Sequence, residues 1–499
     1  MNFLRDFLMR TFTLKKLLLT TVFFLLGSLA IHAADEEDLI TEQVTIKLDK
    51  AGSLPDKIDE SKKYKITNLK VIGDLNGTDF RLIRDMAGCD YQRKETIGKL
   101  SILDLSETNI VNGGDDYYND DFSKYSCEND KIGNSTFESC NSLTSINLPS
   151  SITEIGDYVF MNCNNLSSIT IPKCVIKIGA LAFYNCSSLS GITLPDEITS
   201  IGGACFYGCS SLYSIIIPNG ITSLEASCFK GCSSLHYVAL HDGITSLGDR
   251  CFSGCSELGI NLPEGIVSIG DECFRSCSSL TNIAIPEGVT SLGDYCFYYC
   301  RSLKNITLPK GMTKLGNHCF EECSNLQSIT LPDGLTSLGD YCFARCFLLR
   351  DITLPNEITS LGEYCFWNCG FLWRINLPAG ITTLGRCCFF DCTALREIYA
   401  DWITPIVIRE DVFAQIFLSS RSLYLYVPKG AIDNYRRTDV WRDFYNIREY
   451  VPTDINNTIN SYIKENSRFS LNGQRQNQPV KGLNIVKYSD GSVKKVVVK

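Results

Sequence analysis

The feature that most constrains this chain is a period of 23 residues. Between residues 131 and 400 the sequence repeats the pattern L-x-x-I-x-L-P-x-x-I-x-x-I/L-G-x-x-x-F-x-x-C. Ten of the eleven intervals between successive repeat phenylalanines are 23 residues long, and one is 22. Tandem copies of this length are typical of solenoids, in which each repeat forms one rung that contacts only its neighbours. The repeat phenylalanines are Phe137, Phe160, Phe183, Phe206, Phe229, Phe252, Phe274, Phe297, Phe320, Phe343, Phe366 and Phe389.

The order of residues inside one rung predicts how the rung is built. Residues 326–331 (LQSITL) alternate apolar and polar side chains, which is the period of a β-strand. Pro332 has no N–H to donate and ends the strand, and Asp333-Gly334 and Gly339 predict turns. We therefore predict an α/β repeat fold: a leucine-rich-repeat solenoid with a parallel β-sheet on one face and short turns or 3₁₀ segments on the other. Irregular caps are expected at both ends.

The composition and the histidines exclude several classes of function. The 499 residues carry a net charge of -9, whereas a nucleic-acid-binding surface needs clustered Lys and Arg. Beyond residue 33 the only histidines are His236, His241 and His318, and no metalloprotease, nucleophile-elbow, phosphate-loop or dinucleotide motif accompanies them. We therefore expect no enzyme activity, no cofactor and no metal site.

The 25 cysteines follow the repeat. Twelve close the F-x-x-C element and nine directly precede the repeat phenylalanine, at a position that holds Thr136, Val159 and Ala182 in the first three rungs. A position that accepts these residues selects a small side chain, so we interpret the cysteines as core packing. Neighbouring strands lie about 4.8 Å apart, within disulfide range, so rung-to-rung disulfides stay open as an alternative. A zinc site is the less favoured interpretation, because no histidine recurs beside the cysteines.

Both ends of the chain depart from the repeat. Residues 1–33 combine basic residues, a short apolar run and small residues, which is typical of a cleaved secretory signal peptide. The apolar run is shorter than the roughly 20 residues of a membrane span, so no transmembrane segment is expected in the mature chain. Residues 34–130 and 401–450 are predicted caps, with an acidic loop over 113–121 and a helix over 431–450. A linker over 451–467 leads to a strand-rich segment, 468–499.

The repeat resembles a known family. The rung LTSINLP…ITEIGDYVFMNC and its successors resemble the BspA-type leucine-rich-repeat surface proteins of Bacteroidetes, spirochaetes and some protozoa. The flanking stretches LKVIGDLNGTDFRLIRDM and YVPKGAIDNYRRTDVWRDFYNI are also similar to that group. The rungs differ from the commoner leucine-rich repeat in two ways. A proline follows the strand, and the asparagine ladder that follows the strand in the commoner repeat is absent from the pattern. The terminal FSLNGQRQNQPVKGLNIVKYSDGSVKKVVVK resembles carboxy-terminal sorting signals, which implies an export machinery and surface attachment; a small hairpin packing on the cap is the alternative.

The candidate binding site lies where the late rungs break the repeat pattern. Ser, Thr and Asn fill most outward strand positions and predict a neutral, solvated face. Aromatic and arginine side chains, which are typical binding anchors, replace them near the carboxy-terminal end; contact with the cap or linker is the alternative. The candidate residues are Trp367, Trp373, Arg374, Phe371, Phe347, Asn376, Thr353 and Tyr399.

The function that these features and the resemblance imply is adhesion. We expect a secreted or outer-membrane surface-attached adhesin that binds host extracellular matrix proteins, cell-surface receptors or other cells through the repeat surface. The alternative is a glycan-binding or structural component of the bacterial envelope.

Overall fold

A computed structural model describes residues 38–120, 122–416, 421–451, 465–470, 474–476, 478, 481–488 and 493–498. The chain divides into two compact units, which we call unit 1 (residues 1–326) and unit 2 (residues 327–499). The repeats of both units wind into stacked rungs joined by parallel strands, with few helices. The predicted leucine-rich-repeat solenoid is therefore confirmed. The predicted signal peptide, 1–33, lies outside the described residues, as do 452–464 of the predicted linker.

A principal column of parallel strands runs through each unit, with the repeat isoleucine buried and its two neighbours facing outward. In-register pairs such as Ser145↔Ser168 and Asp351↔Arg374 set equivalent positions side by side. The strands of unit 1 are Val44–Lys47, Asn68–Leu75, Ile102–Ile110, Ser145–Asn147, Ser168–Thr170, Ser214–Ile216, Tyr237–Ala239, Asn282–Ala284 and Asn305–Thr307. Those of unit 2 are Ser328–Thr330, Asp351–Thr353, Arg374–Leu377, Glu397–Ala400, Tyr424–Pro428 and Asn446–Tyr450.

A second column of two-residue strands follows the proline turn of each rung, where a single sheet was predicted. The apolar residue of each pair is buried and the polar one faces out, so two residues suffice for one pairing with the next rung. These strands are Lys131–Ile132, Glu154–Ile155, Lys177–Ile178, Ser200–Ile201, Ser223–Leu224, Ser246–Leu247, Ser268–Ile269, Ser291–Leu292 and Lys314–Leu315 in unit 1. Unit 2 has Ser337–Leu338, Ser360–Leu361 and Thr383–Leu384.

Within each unit, the repeat phenylalanines stack on one another on the turn side of the rungs. From Phe137 to Phe320 in unit 1 the ring centroids of successive phenylalanines lie 5.2–5.8 Å apart and nearly parallel. The residue two positions before each ring has a left-handed backbone, for example Tyr158 with φ 59° and Ala204 with φ 52°. This turn allows the phenylalanine N–H to bond the next rung, as Phe160 does to the Ala182 carbonyl at 2.7 Å.

The cysteines pack the core as free thiols, and all except Cys174 are buried. The F-x-x-C thiol has a specific partner, because Cys163 Sγ donates to the Phe137 carbonyl at 3.0 Å and Cys186 Sγ to the Phe160 carbonyl at 3.1 Å. The contact recurs down the rungs with distances of 3.0–3.2 Å. Cysteine thus combines a small apolar body with a weak donor. Burial raises the pKa of the Cys140 thiol to about 12.

Two further features hold successive rungs at close distance. The glycine after the second-column strand lies against the backbone of the preceding rung, and a Cβ on Gly179 would stand 2.5 Å from the Gly156 carbonyl carbon. The next residue is often Asp or Asn, whose side chain accepts from the following rung, as Asp157 Oδ1 does from the Ala180 N–H at 2.7 Å. A side-chain ladder therefore exists, at a position different from the asparagine ladder of the commoner repeat.

The amino-terminal cap of unit 1 contains two helices, α1 (Leu54–Lys57) and α2 (Gly77–Met86). Asn76 and Asp79 form a capping box at the start of α2. Fully buried Arg84 donates from its guanidinium to the carbonyls of Ser135 (2.7 Å) and Thr136 (3.0 Å), which joins the cap to the first regular rung. The prediction of a loop over 113–121 is wrong, because Gly113–Asn119 forms a strand that pairs antiparallel with Lys124–Cys127.

The predicted helix over 431–450 is also only partly present. Helix α3 covers Ile432–Arg437, a 3₁₀ turn covers Trp441–Asp443, and Asn446–Tyr450 forms a strand parallel to Tyr424–Pro428. Cap residues therefore extend the principal column. The strands of the terminal segment, Glu465–Phe469, Arg475–Gln476, Gly482–Tyr488 and Val493–Val498, pair antiparallel. The predicted domain boundaries and the sorting role of 468–499 stay predictions.

Candidate functional site: the tyrosine face of unit 2

Three adjacent strands of the principal column in unit 2 present large polar and aromatic side chains. In Arg374–Leu377, Glu397–Ala400 and Tyr424–Pro428, half-buried outward residues alternate with buried inward ones. The parallel register aligns Arg374 with Glu397 and then Tyr424, and Asn376 with Tyr399 and then Tyr426. We call these six residues, Arg374, Asn376, Glu397, Tyr399, Tyr424 and Tyr426, the tyrosine face.

The rings of the tyrosine face pack on one another across neighbouring strands. Tyr399 and Tyr426 stack with centroids 4.5 Å apart and an interplanar angle of 9°. The guanidinium carbon of Arg448 lies 4.4 Å from the centre of the Tyr424 ring. Cross-strand ring pairs of this kind stabilise the sheet and limit side-chain motion. The aromatic surface is therefore ordered before any ligand binds.

Charged groups at the edge of the face are paired with aromatic ones. Trp373 donates from Nε1 to Asp351 Oδ2 at 3.2 Å, and the Arg374 guanidinium carbon lies 4.8 Å from the centre of the Trp373 ring. The Tyr399 hydroxyl donates to Glu397 Oε2 at 3.2 Å. Burial, and to a lesser extent Glu397, raise the pKa of Tyr399, so this hydroxyl stays protonated at neutral pH and can donate.

A half-buried carboxyl lies where the face meets the cap. Tyr450, which packs edge-to-face on Tyr399 at 5.4 Å, donates its hydroxyl to Asp401. Burial raises the pKa of Asp401 to about 6, partly opposed by a hydrogen bond from Asn376. The Asn376 Oδ1 atom is itself buried without a partner. Leaving such an acceptor unpaired costs stability.

The structure divides the eight predicted residues among three places. Trp373, Arg374, Asn376 and Tyr399 lie together on or beside the tyrosine face, and Thr353 is exposed on the preceding strand. The other three lie on the segment that leads from the phenylalanine stack to the strand. There Phe347 and Phe371 pack edge-to-face at 5.3 Å, and Trp367 packs edge-on against Tyr341 and Tyr364.

Sequence reasoning missed half of the face. The three missed members are Glu397, Tyr424 and Tyr426. Tyr424 and Tyr426, like their neighbours Tyr450 and Arg448, lie beyond the last regular rung, so no repeat position marked them as outward. The signal was present in Tyr424–Pro428, where the pattern YLYVP alternates polar aromatics with apolar residues as the repeat strands do. Asp401 was missed because it occupies the position that is proline in the regular rungs.

The site and the rest of the described chain offer little for catalysis. His241 Nε2 lies 3.0 Å from the Pro218 carbonyl and its Nδ1 accepts from the Gly243 N–H, which is a turn-forming role. His236 stacks on Tyr213, and His318 pairs with Glu321. Within the described ranges, no three His, Cys, Asp or Glu side chains converge as metal ligands. Nor does any helix in those ranges have the length and apolarity to cross a bilayer.

Comparison with known proteins gives a family match and several similar structures. The model of the BspA type Leucine rich repeat region matches residues 130–259, 257–372 and 319–424, with six copies. A leucine rich cell surface protein from Faecalibacterium prausnitzii is 30% identical over 55% of this chain and 84% of its own, with a TM-score of 0.42. A leucine-rich repeat protein from Bacteroides ovatus is 23% identical over 66% and 89%, with a TM-score of 0.44. A search of curated proteins found no match.

Proposed function

The chain belongs to the BspA-type leucine-rich-repeat family, and from that premise we propose that it is a non-enzymatic adhesin. It is secreted or attached to the outer surface of a bacterium. Its ligands are proteins, of the kind found in host extracellular matrix or on host or bacterial cells. The tyrosine face is the contact surface, with Trp373 at its edge.

The composition of the tyrosine face is the observation that carries the proposal. Tyr, Trp and Arg are the residues that contribute most to protein–protein binding energy, and here they occupy positions where most other rungs have Ser, Thr or Asn. Their packing does not serve the core, because the inward residues of the same strands already fill it. An ordered aromatic surface also lowers the entropy cost of binding.

Ring geometry favours a protein ligand over a sugar at this face. A sugar stacks on the open face of an aromatic ring, but Tyr399 and Tyr426 cover each other and guanidinium groups lie over Tyr424 and Trp373. What the surface offers instead is hydroxyl groups, ring edges and a cation, which suit backbone and side-chain contacts of a folded partner.

A non-enzymatic role is supported by the partners of Asp401, a carboxyl whose pKa is raised by burial. Asp401 accepts hydrogen bonds from the Tyr450 hydroxyl and the Asn376 amide, so its oxygens are engaged where the face meets the cap. Export is supported by the signal-peptide pattern of residues 1–33 and the sorting-signal resemblance of 468–499.

The test uses the full mature chain on immobilised fibronectin, fibrinogen, laminin and collagen, with Trp373→Ala and Tyr399→Ala as variants. Trp367→Ala is the matched control, since Trp367 is also half-buried but lies outside the face. We expect binding to at least one protein and a loss of at least tenfold for the two face variants alone, because hot-spot truncations cost about 2 kcal/mol or more. Absence of protein binding, or binding to polysaccharides only, contradicts the proposal.

A further inference from the structure

One rung of unit 1 is a residue short. The interval from Phe252 to Phe274 is 22 residues, and the missing residue falls in the element L-x-x-I, which here reads Leu258-Gly259-Ile260. The core residues of this rung are kept, because Leu258 and Ile260 are buried like their equivalents. The deletion therefore removes an outward residue and leaves the core intact.

A groove lies at this rung on the principal face of unit 1. Residues 259–261 form no strand, and a single bridge, Tyr237↔Gly259, joins this rung to the preceding strand. The groove has a volume of about 600 Å³ and lies between Tyr237–Ala239 and Asn282–Ala284, where Gly259 has no side chain. This volume is in the range of small-ligand sites.

The groove is polar and almost uncharged. Its walls include Asn261, Ser279, Thr281 and Asn282, and Glu257 is the one lining residue with a formal charge when histidine is neutral. Asn261 is exposed, and an amide offers both donors and an acceptor. The lining thus suits a ligand with many hydroxyl groups and no net charge.

An open aromatic ring stands at one side of the groove. Tyr237 is 54% exposed, and none of the described residues places a ring or a cation against its ring. Beside it Tyr213 and His236 form an exposed stack with centroids 5.6 Å apart. Tyr237 differs in this respect from the rings of the tyrosine face, which are covered.

We propose that this groove is a second binding site and that it takes a neutral saccharide. One face of a sugar ring stacks on Tyr237, while its hydroxyl groups bond the amide of Asn261 and the hydroxyl of Thr281. Acidic glycans and nucleic acids do not fit, because no Lys or Arg lines the groove. The site lies in unit 1 and is independent of protein binding by unit 2.

The test is affinity electrophoresis of the full mature chain in gels containing yeast mannan, laminarin, xyloglucan or heparin. The key variants are Tyr237→Ala, which removes the stacking ring, and Gly259→Leu, which fills the groove. A Cβ on Gly259 meets only the His236 carbonyl at 3.2 Å, so the rung accommodates the change after a small shift. Controls are Tyr445→Ala, a similarly exposed tyrosine at 53% in unit 2, and Trp373→Ala.

We expect at least one neutral polysaccharide to retard the wild-type chain, with heparin having no effect. Retardation should weaken about tenfold in both groove variants, which corresponds to about 1.4 kcal/mol, and should persist in both controls. The proposal is overturned if no neutral polysaccharide retards the chain or if Tyr237→Ala is retarded equally. Fibronectin binding that depends on Tyr237 would show that the groove binds a protein and not a saccharide. Loss of retardation in Trp373→Ala would place saccharide binding on the tyrosine face.

Discussion

The glycine that follows each second-column strand offers a sharp test of how the rungs are held together. We consider Gly179→Ala. The added Cβ would lie 2.5 Å from the Gly156 carbonyl carbon and 2.6 Å from the Asp157 nitrogen, well inside ordinary contact distance. Neither atom belongs to a flexible side chain, so the two rungs must separate.

The expected loss follows from the contacts that this separation disturbs. Inserting a methyl group into a packed interior costs about 1–3 kcal/mol. Two hydrogen bonds span the same gap, from the Gly179 N–H to the Ile155 carbonyl at 2.8 Å and from the Ala180 N–H to Asp157 at 2.7 Å. Weakening them adds roughly 1 kcal/mol each at most. We expect the free energy of local opening to fall by about 3 kcal/mol.

Native-state hydrogen exchange of the full chain measures this free energy rung by rung. A fall of 3 kcal/mol accelerates exchange about a hundredfold in the rungs of Gly156 and Gly179. The control is Gly311→Ala, where nothing lies within 4 Å of the added Cβ. Exchange within threefold of that control would refute the close-approach explanation.

Three further predictions concern the turns, the thiols and the cap. Ala204→Gly should stabilise unit 1 by about 1 kcal/mol in urea unfolding, because its backbone is left-handed; exposed Ala226→Gly should destabilise it by a similar amount. Thiol titration at pH 8 should modify Cys174 at once, and all 25 cysteines only after denaturation, because burial raises the pKa of thiols such as Cys140. The folded pKa of Asp401, about 6, exceeds its unfolded value of about 4. The cap should therefore lose stability as pH rises from 4 through 6, and Asp401→Asn should abolish that dependence.

The repeat made most of the architecture predictable from the sequence. The alternation of apolar and polar residues, as at 326–331, predicted the principal strands. The constant spacing of the apolar residues within each repeat predicted which residues are buried. The second column was missed, because two residues are too few to show a period. The thiol–carbonyl contact of Cys163 and its equivalents was missed as well, because it links residues 26 apart and depends on how the turns place Sγ.

The ends of the array were less predictable, because no repeat constrains them. The composition of the acidic stretch 113–121 predicts a loop, yet Tyr118 pairs with Tyr125 across a hairpin. Residues 446–450 read as helix, yet pairing with Tyr424–Pro428 makes them a strand. Tertiary pairing overrides local preference in both places. The candidate site straddles this boundary, so only its first half could be found from repeat positions.

Hydroxyl-radical footprinting of the full mature chain, with and without a matrix protein that it binds, measures most directly whether the tyrosine face contacts a ligand. Radical modification of Tyr399, Tyr424 and Trp373 should fall on binding, while Trp367 in the same unit should be modified equally in both samples. Protection of Trp367 with no change at the three other side chains would contradict a binding role for the tyrosine face.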